Sequence, residues 1–303
     1  MTISWRDRPV GIVGLGLIGG SLGLDLRQRG FEVRALVHRP STAERARQRG
    51  LADQVDTDPA VLQPCGLVVL ALPLDQLLEP PAALVAALPA GAVLTDVGSV
   101  KAPVLERWRQ GPWRFVASHP MAGTSQAGVE AGVAGLFAGR PWVATPAADT
   151  DPSALEQVRQ LAELVGARWL CCDASQHDRA VALISHMPVL VSAALLEAAG
   201  GESDAATARL ARQLASSGFA DTSRIGGGNP ALGTLMARHN RDAVLAALGR
   251  YRQHIEALEQ LVQQQRWGEL EQRLSRCQQL RPEFLPPATA MEPPGPPAAD
   301  GRR

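Results

Sequence analysis

The chain has 303 residues, which suits two domains or one large one and is long enough to bury substantial cores. It carries 30 basic and 30 acidic residues, and this balance argues against binding to nucleic acid or to an anionic membrane. Its four cysteines lack the spacing of metal ligands, so we expect no metal site and a reducing, cytoplasmic environment. Residues 1–9 contain charges and no apolar core, so no signal peptide is predicted.

The first predicted elements are a strand, a glycine-rich turn and a helix. The apolar run Val10–Val13 is followed by Gly14-Leu15-Gly16-Leu17-Ile18-Gly19 and then by a helical pattern over Ser21–Arg29. Two glycines allow a tight turn and a close approach of the backbone to a pyrophosphate, and the third allows close packing of helix on strand. The helix N-terminus adds N–H groups that attract an anion. These six residues therefore predict a dinucleotide-binding turn.

The end of the second strand indicates which dinucleotide binds. The predicted strand Val33–Val37 is followed by His38-Arg39-Pro40-Ser41-Thr42, and the first acidic side chain is Glu44. An NAD site usually places Asp or Glu here for the ribose 2′-hydroxyl, whereas arginine and hydroxyl groups suit a 2′-phosphate. We therefore expect His38, Arg39, Ser41 and Thr42 to bind NADP in preference to NAD.

Alternating strands and helices continue to residue 172. Further apolar strands are predicted at Gly66–Leu72, Ala92–Thr95, Phe115–Ser118, Trp142–Thr145 and Arg168–Cys172. Continuously apolar strands are typical of parallel sheets that helices cover on both faces. Residues 1–172 are therefore predicted to form a Rossmann-like, doubly wound α/β domain, with its ligand crevice at the carboxyl ends of the strands. Leu72 and Pro73 end one of these strands and are expected to contact the cofactor.

After Asp173 the pattern becomes helical. Helices are predicted at Ser175–Ala199, Ala205–Ser216, Ala231–Gln265 and Trp267–Cys277. Their apolar positions recur every three or four residues and need a second surface, so residues 173–281 are predicted to form an all-helical domain that dimerises. Polar residues and Pro188 interrupt the most apolar stretch, 180–199, which indicates a buried helix and not a membrane span. The proline-rich residues 282–303 are predicted to be disordered.

Two residues near strand ends are candidates for catalysis. His119 follows a predicted strand, where it would face the ligand crevice as a base or serve a merely structural role. Ser99 lies in Asp96-Val97-Gly98-Ser99-Val100-Lys101; its hydroxyl either fixes the tautomer of His119 or simply caps a helix. Lys101 is the only lysine of the chain, and its position two residues after Ser99 favours a functional role over chance.

Two further candidates lie in the helical part. His186, in Ser185-His186-Met187-Pro188, is either a core histidine that bonds a carbonyl freed by Pro188 or a ligand-binding residue. Arg224 lies in a segment rich in glycine and hydroxyl side chains, residues 216–230, and can clamp a carboxylate through two hydrogen bonds. The alternative is a flexible loop whose arginine has no ligand.

Taken in chain order, these motifs resemble those of the prephenate/arogenate dehydrogenases of tyrosine biosynthesis. The resemblance covers residues 9–280 and rests on the glycine turn and on the motifs at 96–101, 119–124, 185–188 and 221–230. It is closest to the NADP-dependent arogenate dehydrogenases of cyanobacterial type. It implies a dinucleotide domain followed by a helical domain that forms a homodimer.

The resemblance also implies roles for single residues. His119 corresponds to the base that takes the proton from the ring hydroxyl of a cyclohexadienol, and Ser99 to a serine that hydrogen-bonds in the same site. His186 and Arg224 correspond to residues that line the substrate pocket, where the arginine binds a carboxylate. Thr124 and Lys101, within the matching motifs, are also expected to bind substrate.

Several functions stay open at this point. Many prephenate-type members carry an acid in the loop after the His-Pro motif, whereas this chain has no acid there before Glu130. That difference favours oxidation of L-arogenate to L-tyrosine with NADP. The alternatives are a prephenate dehydrogenase that uses NAD or NADP and gives 4-hydroxyphenylpyruvate, a β-hydroxyacid dehydrogenase, and a non-catalytic NADP-sensing module. The hydroxyacid branch usually places a catalytic lysine on the helical domain, where this chain has none.

Overall fold

The structure is a computed structural model that describes residues 5–124 and 126–285. The described residues divide into two compact units between Val244 and Leu245. The first unit contains two β-sheets with their helices, and the second is helical.

A six-stranded parallel sheet forms the centre of the first unit. Its strands are β1 (Val10–Val13), β2 (Val33–Leu36), β3 (Gln54–Asp56), β4 (Leu67–Leu70), β5 (Val93–Asp96) and β6 (Arg114–Val116). Their spatial order is β3-β2-β1-β4-β5-β6, with every neighbouring pair parallel. This order confirms the predicted Rossmann-like fold, in which the ligand crevice opens at the carboxyl ends of β1 and β4.

Apolar side chains cover both faces of this sheet. Successive residues of a strand point to opposite faces, so Val69 lies in one core cluster, and Val68 and Leu70 lie in the other. The helices that follow the strands are α1 (Leu17–Gln28), α2 (Pro40–Gln48), α3 (Leu74–Leu78), α4 (Ala82–Ala87), α5 (Ala102–Arg109) and α6 (Pro152–Leu164). Burial on both faces explains why these strands are continuously apolar in the sequence.

A second, three-stranded sheet corrects the predicted topology. It consists of β7 (Ser118–Pro120), β8 (Pro141–Ala144) and β9 (Arg168–Cys171), with β7 antiparallel and β9 parallel to β8. The predicted strand Phe115–Ser118 is therefore divided between two sheets. The division occurs because the Ser118 N–H bonds a side-chain oxygen of Asp96, at 3.0 Å, and not a strand carbonyl. His119 consequently lies within β7 and does not follow the end of a strand.

The remaining helices run from the end of the second sheet to Phe284. They are α7 (Ala174–Val181), α8 (Met187–Gly200), α9 (Ala205–Leu214), α10 (Ser217–Ser223), α11 (Pro230–His239), α12 (Arg241–Gln263) and α13 (Trp267–Phe284). A π-helical turn, Ala182–His186, joins α7 to α8. Pro188 has no N–H for the carbonyl four residues earlier, and this favours the local change of hydrogen-bond pattern. The prediction missed α10, which lies in a segment rich in glycine and serine.

The predicted boundary at residue 172 marks the change to helical structure, but the compact units divide later. Helix α7 packs against α5, and α11 packs against α3, so both belong with the first unit. Helix α13 continues through Pro282 to Phe284, and the predicted tail therefore cannot begin at residue 282. The rest of that tail, residues 286–303, lies outside the described residues.

The helical segment Ala174–Gly200 is less buried than the sequence predicted. It is long and apolar enough to cross a membrane by length and composition alone, yet only 22% of its most apolar window is buried within the chain. Ile184 and Leu195 are exposed, whereas the polar residues His186 and Ser192 are buried. Most residues of this apolar window are therefore not buried by the described part of the chain.

Candidate active site

The glycine turn has the shape that a dinucleotide requires. Gly14 has φ +93°, and a Cβ there would lie 2.4 Å from the carbonyl oxygen of Ala71. A Cβ on Gly19 would lie 2.0 Å from the carbonyl oxygen of Gly14. A Cβ on Gly16 would meet no atom within 4 Å, so the backbone is open to a phosphate at the N-terminus of α1. The turn therefore fits the predicted pyrophosphate site.

The other predicted cofactor residues lie around the carboxyl ends of β1, β2 and β4. Leu15 is buried in the core, and Leu17 and Ile18 are partly buried and pack against the core. Leu72 is partly buried close to Gly14, and Pro73 caps α3.

The residues after β2 are open to solvent. His38, Arg39 and Ser41 are exposed, and Thr42 is partly buried. Arg39 is the N-cap of α2, which begins at Pro40. Because β2 lies beside β1, these residues share the crevice edge with the glycine turn.

His119 contacts a second histidine that the sequence analysis did not single out. It lies at the centre of β7, where it pairs with Val143 of β8. Its Nδ1 is 3.0 Å from Nε2 of His177, and the two rings meet edge to face at 71°. Burial above all, followed by His177, Lys101 and His186, holds the pKa of His119 well below its ordinary value of 6.5. His119 is therefore neutral at physiological pH, which is the state that a proton acceptor needs.

Asp178 joins this histidine pair to the start of α5. Its Oδ1 lies 2.8 Å from Nδ1 of His177. Its two carboxylate oxygens also accept the main-chain N–H groups of Lys101 and Ala102, at 2.7 and 2.8 Å. N–H groups at a helix start have no partner within the helix, so Asp178 satisfies them. Together, these bonds fix α7 against α5.

Lys101 lies inside the domain and not at a surface that a substrate could reach. Its side chain is fully buried, and its ammonium forms an ion pair with Asp96 and donates a hydrogen bond of 2.8 Å to the carbonyl of Ser118. Asp96 in turn accepts the N–H groups of Gly98 and Ser118, at 2.8 and 3.0 Å. Lys101 therefore connects β5 to β7, and its full burial gives no support to the predicted contact with substrate.

Ser99 and Thr124 lie near the carboxyl ends of strands, but the structure joins neither to His119. Ser99 is partly buried between β5 and α5, and no hydrogen bond among the described residues connects it to His119, whose ring partner is His177. Thr124 is exposed, and its hydroxyl accepts the N–H of Gln126 at 3.2 Å. The predicted roles of both residues in substrate binding and catalysis stay predictions.

His186 is buried, and its ring lies within hydrogen-bond distance of Asn240. The Nδ2 of Asn240 donates to the carbonyl of Asp178 at 2.7 Å and lies 3.1 Å from Nδ1 of His186. Because Nδ2 is a donor, Nδ1 of His186 accepts, and the proton of the neutral ring is on Nε2. The Ser99 carbonyl lies near the ring and favours the protonated form of His186. Nε2 nevertheless makes no hydrogen bond of ordinary geometry within the described residues. Asn240, and not a carbonyl freed by Pro188, is therefore the partner of His186.

The buried His186 predicts a loss of stability in acid. Burial is the largest cause that lowers its pKa to about 4, against 6.5 in an unfolded chain. Between these values the unfolded chain binds more protons, so the stabilising contribution is complete above pH 6.5 and is lost as the pH falls to about 4. At about 1.4 kcal/mol per pKa unit, the loss is about 3 kcal/mol. Urea unfolding at pH 7 and 4.5 should show that the free energy of unfolding depends less on pH in His186→Asn than in the wild type. An equal pH dependence in the two proteins would contradict this account.

Arg224 is exposed at the end of α10, in a segment that is held against α8. Ser192 Oγ donates to the carbonyl of Thr222 and accepts the N–H of Gly226, both at 2.8 Å. A Cβ on Gly226 would lie 2.4 Å from the main-chain nitrogen of Ala193, so this approach requires glycine. The segment is therefore a defined structure and not a flexible loop. No described acidic residue forms an ion pair with Arg224, which leaves its guanidinium available to an anion.

Four residues of this site were not predicted as site residues from the sequence, namely Asp96, His177, Asp178 and Asn240. Three of them left a readable signal. His177 and Asp178 are adjacent titratable residues near the start of the predicted helix Ser175–Ala199. Asn240 interrupts the predicted long helix Ala231–Gln265, and the structure ends α11 just before it.

Comparison with known proteins identifies the family. The model of the prephenate dehydrogenase nucleotide-binding domain matches residues 22–171, and that of the prephenate dehydrogenase dimerization domain matches residues 173–276. Prephenate dehydrogenase of Bacillus subtilis (strain 168) is 29% identical over 261 residues, which are 84% of this chain and 70% of the relative. Cyclohexadienyl dehydrogenase of Zymomonas mobilis is 30% identical over 249 residues, 80% of this chain and 85% of the relative.

Solved structures agree with this assignment. Synechocystis arogenate dehydrogenase is 41% identical, with a TM-score of 0.76 over 91% of this chain and 100% of the other. Prephenate dehydrogenase from A. aeolicus, in complex with hydroxyphenyl propionate and NAD⁺, is 26% identical, with a TM-score of 0.85 over 94% of this chain and 99% of the other. The predicted resemblance is confirmed: the chain is a nucleotide-binding oxidoreductase and belongs to the prephenate dehydrogenase family.

Proposed function

We propose that this protein catalyses the NADP-dependent oxidative decarboxylation of L-arogenate to L-tyrosine. The observation that carries the reaction is His119, an imidazole that burial keeps neutral on the strand beside the carboxyl edge of the Rossmann-like sheet. The 41% identity with Synechocystis arogenate dehydrogenase supports the choice of substrate. The absence of an acid directly after β2 supports the choice of cofactor.

The chemistry of the substrate explains why one neutral base is enough. Arogenate is a cyclohexadienol whose ring carries a carboxylate opposite the hydroxyl-bearing carbon. Bound at the glycine turn, NADP⁺ would supply the acceptor for the hydride of that carbon. His119 takes the hydroxyl proton as the hydride leaves, so that a ring ketone forms. The ketone then withdraws the electrons of the bond to the carboxylate, carbon dioxide leaves, and the resulting phenolate recovers the proton from His119.

The helical part contributes the groups that hold the substrate. The exposed guanidinium of Arg224 suits a carboxylate, and Nε2–H of His186, close to the Ser99 carbonyl, makes no hydrogen bond of ordinary geometry within the described residues. Arg224 has to bind a carboxylate without preventing its departure. Its replacement should therefore raise KM more than it lowers kcat.

The second strand predicts a measurable preference for NADP. Arg39→Ser removes the cation expected to bind the 2′-phosphate, and it should weaken NADP⁺ binding by about 1.5–3 kcal/mol, which is the range for a hydrogen bond to a charged group. Binding of NAD⁺, which lacks that phosphate, serves as the internal control and should not change. Isothermal titration with both dinucleotides checks this expectation, and unchanged NADP⁺ affinity would show that Arg39 does not contact the phosphate.

The deciding assay pairs arogenate and prephenate with NADP⁺ and NAD⁺ and follows the absorbance of the reduced cofactor. Activity confined to arogenate with NADP⁺ is expected. The second candidate is oxidation of prephenate with NAD⁺, which the names of the Bacillus relative and of the NAD⁺-bound A. aeolicus structure favour. Activity with that pair would overturn the specificity proposed here and leave the catalytic role of His119 in place.

We also propose a cytoplasmic homodimer assembled through the helical domain. The domain matches one described as a dimerization domain, and exposed apolar residues of the π-helical turn, α8 and α13 need a covering surface. Ile184, Leu195, Leu274 and Phe284 are among these residues. Light scattering after gel filtration should give twice the chain mass of 32.1 kDa. A mass of one chain at micromolar concentration would contradict the dimer.

A further inference from the structure

His177 and Asp178 connect His119 to the backbone of α5. We propose that they are positioning residues, which hold His119 in the tautomer that carries a proton on Nδ1 and leaves Nε2 free to act as the base. The inference rests on the proposed function only for the role of His119 as the base that takes the substrate proton. The tautomer itself follows from the contacts among the three side chains.

The ionised carboxylate of Asp178 can only accept hydrogen bonds. Its oxygens accept the N–H groups of Lys101 and Ala102 at the N-terminus of α5, where a negative charge is favoured. The remaining contact of Asp178 is the 2.8 Å approach of His177 Nδ1 to Oδ1. Nδ1 of His177 must therefore be the donor in this contact.

The proton on His177 Nδ1 determines the state of His119. A neutral imidazole has one N–H, so a proton on Nδ1 leaves Nε2 of His177 with a lone pair. His177 is 3% exposed, which leaves this lone pair little access to water. It lies 3.0 Å from Nδ1 of His119 and accepts the N–H there. Nε2 of His119 is consequently unprotonated and is the nitrogen available to a substrate hydroxyl.

The same arrangement stabilises the charge that forms in the reaction. When Nε2 of His119 accepts the substrate proton, Nδ1–H of His119 can pass its proton to Nε2 of His177. His177 then carries the positive charge while its own Nδ1–H remains bonded to the carboxylate of Asp178. In the Ser-His-Asp enzymes, a carboxylate likewise stabilises the imidazolium of the histidine that it holds. The other charged or titratable groups that face this pair are His186 and the Lys101–Asp96 ion pair.

Two substitutions at His177 separate positioning from simple packing. In His177→Gln, the amide oxygen can accept Nδ1–H of His119 and the amide nitrogen can donate to Asp178, so both bonds are kept. In His177→Leu, the side chain fills similar space but does neither. We expect His177→Leu to lower kcat about 100-fold or more and His177→Gln to retain kcat within about tenfold, with KM for the substrate little changed in both.

A spectroscopic measurement tests the tautomer directly and needs no substrate. The chain has six histidines, so a protein labelled with ¹⁵N only in histidine gives few signals, and His119→Asn assigns the one of interest. We expect long-range ¹H–¹⁵N correlation at pH 7 to show His119 protonated at Nδ1 in the wild type and in His177→Gln. In His177→Leu, the same spectrum should show that His119 is no longer held in this tautomer. Protonation at Nε2 in the wild type, or equal losses of kcat in both variants, would overturn the proposal.

The two measurements also separate this inference from the proposed function. A wild-type chain that shows the predicted tautomer but oxidises neither arogenate nor prephenate would refute the function and keep the positioning role. A chain that oxidises arogenate but has His119 protonated at Nε2 would support the proposed function and refute the positioning role. Circular dichroism checks that His177→Leu is folded, and the wild-type spectrum decides the tautomer even if that variant is not.

Discussion

His119→Asn is expected to lower kcat by about 10²–10⁴-fold, which is the usual contribution of a general base. The asparagine amide can still donate to Nε2 of His177, so the hydrogen bond that His119 makes at 3.0 Å has a replacement and the site should stay intact. The amide cannot accept a proton, and the substrate hydroxyl would then lose its proton to water alone. KM should change little, because the substitution removes a group that acts mainly in the transition state.

Steady-state kinetics with the preferred substrate and cofactor pair measures this effect. The control is His254→Asn, because His254 is exposed in the second compact unit and should not affect turnover. Near-normal kcat for His119→Asn would show that another group takes the proton. Because burial keeps the pKa of His119 well below 6.5, the activity of the wild type should also persist as the pH falls below 6.5.

Lys101→Met is expected to lower the free energy of unfolding by about 3–5 kcal/mol, the cost of breaking a buried ion pair by removing one partner. Lys101 and Asp96 are both fully buried, and methionine matches the lysine stem in length but leaves the carboxylate without its cation. The carbonyl of Ser118 also loses a hydrogen bond of 2.8 Å. Since this cluster joins β5 to β7, the strand that carries His119, activity should fall together with stability.

Urea unfolding at one fixed protein concentration measures the change, since assembly would otherwise shift the apparent stability. The double variant Lys101→Met/Asp96→Asn removes the unpaired charge and should recover at least half of the loss. Arg241→Met serves as the control, because it removes one partner of an ion pair whose side chains are 73% and 92% exposed. A loss for Lys101→Met no larger than that of the control would show that the buried pair does not stabilise the fold.

Several elements could be predicted from the sequence because their causes are local. The glycine turn needs the positive φ of Gly14 and the absence of side chains at Gly16 and Gly19, and the spacing alone reveals this requirement. The strand β4 is apolar throughout because both faces of its sheet are covered. By contrast, β3 was missed, since only its central residue is buried and its pattern is too short to detect.

The second sheet shows where local patterns were insufficient. Only Ala117 separates β6 from β7, and the run Phe115–Ser118 therefore has the appearance of one strand. Its division depends on the carboxylate of Asp96, which lies 22 residues earlier and accepts the N–H of Ser118. A pattern within one strand contains no information about such a partner.

The polar contacts of the site were likewise decided by the tertiary structure. The sequence by itself identified His119, His186 and Arg224 as candidates and indicated the family, because residue type and motif spacing carry that information. It could not show that His119 meets a histidine 58 residues away, or that Asn240 donates to a carbonyl 62 residues away. The position of Lys101 beside Ser99 indicated a ligand contact, yet folding buries its ammonium with Asp96. Hydrogen bonding and desolvation depend on which distant groups folding brings together, and these two effects determine which polar residues support the fold and which remain available for chemistry.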